Sequence, residues 1–69
     1  MSAPDRWPQP DGAPVACREK LRQLAENHEE AGQVLRDAFE DAVLMGVDEA
    51  YMREVLHALV DELRSPKRP

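Results

Sequence analysis

Residues 17–45, CREKLRQLAENHEEAGQVLRDAFEDAVLM, set Cys17, Leu21, Leu24, His28, Ala31, Leu35, Ala38, Ala42 and Met45 at intervals alternating between four and three without a break. A 3.5-residue repeat kept over four heptads is the period of helices that pack on other helices, more than that of an ordinary surface helix. The stretch has no proline and a single glycine, Gly32, so one long helix over about 15–45 is predicted. Pro14 is tolerated in its first turn, where the N–H it lacks would have no partner. After Gly32 the stripe widens to Val34, Phe39, Val43 and Leu44, and the second half of the helix is expected to touch more than one neighbour.

Outward from this helix, Gly46 can take the left-handed conformation past a helix end, and Asp48 is a good N-cap with Glu49 at the positive end of the dipole. Val47 and Met52 then hold the two positions of a hydrophobic staple. A second helix over 49–64 places Met52, Val55, Leu56, Leu59, Val60 and Leu63 on one face, with Arg53, Glu54, His57 and Asp61 pointing elsewhere. At 1.5 Å per residue the two helices would be about 46 Å and 24 Å long, so a hairpin leaves roughly 20 Å of the first uncovered.

The expectation is therefore an all-α, two-helix hairpin that assembles as a homodimeric four-helix bundle or coiled coil. Its partner interface would run along Cys17, Leu21, Leu24, His28, Ala31, Leu35, Ala38 and Ala42, with Leu56, Leu59 and Leu63 from the second helix. A rival layout breaks the long helix at the capping-box spacing Asn27 and Glu30, giving a monomeric three-helix bundle. The heptad running in register through 27–32, with no proline or glycine between Leu24 and Ala31, argues against it.

The flanks read differently. Four of the six prolines (Pro4, Pro8, Pro10, Pro14) lie in the first fourteen residues, and 1–13 is expected to be a disordered proline-rich tail. The helical domain takes 14–65, and 66–69 is a basic tail. Trp7, in Arg-Trp-Pro-Gln-Pro, is the one large anchor of the N-terminal segment, and an extended segment of this kind could serve as a linear motif for a partner groove.

Sixty-nine residues support one marginal core. Nine Lys and Arg against fourteen Asp and Glu, a net charge of −5, speak against nucleic-acid binding, which needs clustered cations. There is no apolar run of membrane-spanning length, no signal-peptide pattern from Met1 to Gly12, and one cysteine, so a cytoplasmic setting without a membrane is expected. Residues 26–62 hold eleven acids against Arg36 and Arg53. This acidic body could dock a basic protein, and Glu26, Glu29, Glu30, Asp37, Glu40 and Asp41 would supply the surface.

No catalytic residues, cofactor or metal are expected, because no nucleophile motif or phosphate-cradling glycine loop is present. Glu54 and His57 have the Glu-x-x-His spacing of di-iron bundles, but a helical wheel puts them on the polar side. His28 stands at a seam position where an aliphatic residue is the norm, and could fix register or loosen the assembly when protonated. Cys17, also on the seam, reads as a small buried hydrophobe, with Arg18, Lys20 and the helix N-terminus offering some activation of its thiol. The functional expectation is a small acidic, non-enzymatic interaction or regulatory module acting as a homodimer. Its alternatives are an accessory subunit or inhibitor docking a basic partner, including one that imitates the charge of nucleic acid, and a metal-binding bundle.

Overall fold

Two helices make up the regular structure of residues 2–67, which are the residues described by a computed structural model: α1 (Arg18–Leu44) and α2 (Glu49–Asp61). Among these residues there is no strand, only an isolated bridge between Pro8 and Pro14, and no helix is long and apolar enough to cross a membrane. The basic tail expected over 66–69 can be followed to Lys67, and Arg68 and Pro69 lie outside the described residues. The contacts of the chain fall into two units, Met1–Val34 and Leu35–Pro69.

In the first unit, α1 passes through 27–32 without interruption. Asn27 does not cap a new helix. Its Oδ1 accepts a hydrogen bond from Gln23 Nε2 one turn earlier, at 2.7 Å, so the three-helix layout is not adopted. The helix begins three residues later than expected because Pro14 and Val15 are engaged in an extended arm. The Val15 N–H donates to the Trp7 carbonyl at 2.9 Å, and the first helical bond is Leu21 N–H to the Cys17 carbonyl.

Where the sequence suggested a disordered tail, residues 7–15 return on themselves as a strap. Gln9 N–H donates to Ala13 O and Gly12 N–H to Gln9 O, both at 2.8 Å, the bonding of a three-residue hairpin loop. Gly12, at φ +90°, supplies the left-handed residue such a loop needs, and Pro10-Asp11-Gly12 is turn-forming in composition. Asp11 Oδ1 accepts the Ala13 N–H at 2.9 Å, and Arg6 donates to the Gly12 carbonyl at 2.6 Å. Pro8 and Pro14, which lack backbone donors, stand at exposed positions of arms only three residues long, where no further strand pairs with them.

In the second unit, the end of α1 closes as a Schellman motif. Val47 N–H reaches back to the Ala42 carbonyl and Gly46 N–H to Val43, with Gly46 at φ +102°. Asp48 then caps α2, its carboxylate accepting the Tyr51 N–H at 2.9 Å. The two motifs reverse the chain in four residues and form the helical hairpin. α2 stops at Asp61 rather than about 64. Its last bonds tighten to Leu63 N–H on Val60 O, and the residue before Pro66 disfavours the helical region. Leu63 thus lies past the helix and is 75% exposed, so no packing rewards a further turn.

Alanine substitution at two glycines should have opposite signs. Gly32 is helical and a Cβ there would meet nothing within 4 Å, so Gly32→Ala should stabilise by about 1 kcal/mol. Gly46→Ala places a side chain at φ +102° and should destabilise by about 1–2 kcal/mol. Urea denaturation followed by circular dichroism measures both, and equal signs would contradict this account of the α1 terminus.

Candidate functional site

Two surfaces, one in each unit, carry the apolar residues that the heptad singled out. In the first unit Leu21, Leu24 and His28 are half-buried, and so are Trp7 and Val15 of the strap. The Trp7 ring meets His28 edge to face, with centroids 6.3 Å apart and planes at 75°. Val15 and Leu24, with Lys20 and Gln23, line a shallow apolar depression. Trp7 is therefore engaged by the chain's own seam rather than presented as a free motif. The flanking seam positions Cys17 and Ala31 are exposed, which corrects the expectation that Cys17 is a buried hydrophobe. It stands at the helix N-cap, outside the stretch the strap covers.

In the second unit Leu35, Leu56 and Val60 form an open groove with Arg53 and His57 at its edge. On a helical wheel Arg53 and His57 point away from the apolar face, but α2 presents both beside it. The Arg53 guanidinium lies 4.7 Å from the centre of the Phe39 ring, a cation–π contact that lets the long side chain cover apolar surface while its head stays wet. Ala38 is half-buried and Ala42 is the one buried side chain among the described residues. Met52, Val55 and Leu56 are half-buried, whereas Leu35, Leu59 and Val60 are exposed, at 41%, 54% and 54%. Phe39, Val43 and Leu44 form a second open depression with Glu40 and Glu49.

The remaining candidates are dispersed. Among the described residues no group of three or more His, Cys, Asp or Glu side chains is placed to hold a metal ion. Glu54 and His57 are both exposed, and the third carboxylate from α1 that a metal site would require is not brought to them. Of the acidic side chains, Glu19 and Glu26 are met by Arg22, at 2.8 and 3.9 Å, in exposed pairs of small energetic weight. The strap beside Leu24 and His28 is the feature that sequence reasoning missed, and its signal was Pro10-Asp11-Gly12, a turn sequence inside the proline-rich segment.

The Cys17 thiol has its pKa lowered, first by the backbone N–H groups of Lys20 and Glu19 at the start of α1 and then by the charge of Lys20. A depressed thiol pKa adds stability that is present above the unfolded value and disappears as pH falls through the folded one, and full exposure keeps that effect small. Alkylation of Cys17 by iodoacetamide should show its midpoint below that of the same chain in denaturant. Coincident midpoints would mean that the first turn of α1 does not hold the thiolate. A scan against protein-family models and searches of the curated proteins and of the solved structures found no match to this chain.

Proposed function

We propose that the chain is a small acidic protein–protein interaction module that works as a homodimer, two α1–α2 hairpins meeting through their open grooves as a four-helix bundle. The observation that carries this reading is the exposure of Leu35, Leu59, Val60 and Leu63, of which Leu35 and Val60 line the open groove with Leu56, on a hairpin with one buried side chain, Ala42. Apolar residues so arranged gain little from folding alone and much from a second apolar surface.

A second copy suits the groove because its apolar floor is edged by Arg53 and His57, while Asp61 and Glu62 follow at the end of the same α2. Antiparallel pairing of two α2 helices would bring opposite charges together, whereas parallel pairing would oppose like ones. The groove lining contains no nucleophile–base pair, which favours binding over catalysis, and one exposed cysteine suits a reducing, cytoplasmic setting.

Light scattering on a sizing column should give twice 7.8 kDa across loading concentrations. Leu59→Asp with Val60→Asp puts two carboxylates among the exposed apolar residues and should weaken association by about 100-fold or more. A monomer at every concentration, or a variant of unchanged mass, would overturn the homodimer.

A further inference from the structure

The burial pattern of the α1 seam follows the strap. Leu21, Leu24 and His28 are half-buried, Trp7 meets His28 and Val15 lies beside Leu24, and Cys17 and Ala31, the seam positions on either side, are open. Charged and amide side chains border this part of the seam at Glu19, Lys20, Gln23, Asn27 and Glu30. The apolar stripe is therefore one helix wide, the width of a coiled-coil contact. We propose that residues 7–15 are an intramolecular latch that occupies the seam at Leu21, Leu24 and His28 and withholds it from the same seam of a second copy.

The two occupants exclude each other because both need the space over Leu24 and His28. The indole lies against His28, and Val15 beside Leu24, in the place where a partner helix would set its own seam side chains. The cis occupant has the advantage of being tethered, so its effective concentration is high without any dedicated contact. Its hold is nonetheless light. The strap closes through Val15 N–H to Trp7 O, the Gln9–Ala13 and Gly12–Gln9 bonds and one ring contact, and the polar groups of its loop are exposed. A latch of this kind sets the competent fraction of the seam. If it is closed in about nine chains in ten, it raises the apparent dissociation constant about tenfold for each chain that must open. The seam in question lies in the first unit, so the latch stands independently of the groove on the helical hairpin.

The test uses the full-length chain carrying Leu59→Asp and Val60→Asp, so that the groove does not contribute to association. Gly12→Val is added to open the strap: a β-branched residue is strained at φ +90°, and a Cβ there meets nothing else within 4 Å. Trp7 is the only tryptophan, so its emission reports the latch directly. Opening should shift that emission to the red, raise the mass measured by light scattering and tighten association about tenfold or more. Adding Leu24→Glu should reverse the gain in mass. Trp7→Ala provides a second way to open the latch, with helicity by circular dichroism confirming that α1 is intact. A red shift without a change in mass, or unchanged mass in both variants, overturns the proposal. Failure of the groove dimer is read separately, from the mass of the unsubstituted chain.

Discussion

The reversal between Ala42 and Asp48 is the constraint on which the helical hairpin depends. Val47 and Gly46 return their N–H groups to the carbonyls of Ala42 and Val43, and Asp48 receives the Tyr51 N–H. Carbonyls at the end of one helix and a first-turn donor of the next are thereby satisfied between Ala42 and Tyr51. The register that follows sets Arg53 on the Phe39 ring and Leu35 among Leu56, His57 and Val60. A single residue at positive φ makes this possible, and Ala42, the only buried side chain among the described residues, belongs to the same turn. The small size of alanine there suits a hairpin in which the chain approaches itself closely.

Little of the described chain is core, with Ala42 its one buried side chain. A helical chain of this length has too little interior for its apolar residues, and the two units treat theirs differently. The first unit lays a folded-back segment beside Leu24 and His28, which costs no additional element. The second leaves Leu35, Leu59, Val60 and Leu63 in the open. An apolar surface covered in cis suits regulation, since a tethered cover can leave. An apolar surface left bare suits constitutive association. The homodimer and latch proposals apply this distinction to the two surfaces.

Much of the backbone was legible from residue chemistry. The unbroken heptad led to an uninterrupted α1, and Gly46 followed by Asp48 led to the turn, because both signals are local and their physical requirements are strict. The ends were less legible. Pro14 is compatible with a first helical turn, but a bond from Val15 to Trp7 holds it in an extended arm instead. Leu63 continued the apolar pattern past the point where any contact sustained the helix. Of the expected interface, Leu21, Leu24, His28, Ala38, Ala42 and Leu56 are buried or half-buried within the chain, while Cys17, Ala31, Leu35, Leu59 and Leu63 are exposed.

What the sequence by itself determined is the two helices, the reversal between them and the seam along α1, since these follow from periodicity, capping and the conformational freedom of one glycine. Tertiary structure alone decided which parts of the seam are covered and by what. The strap depends on Trp7 meeting His28, twenty-one positions away in the chain, and no local propensity encodes that distance. The placing of Arg53 over Phe39 was settled in the same way, because the direction of a long side chain follows from the surface its neighbour offers rather than from its place on a helical wheel.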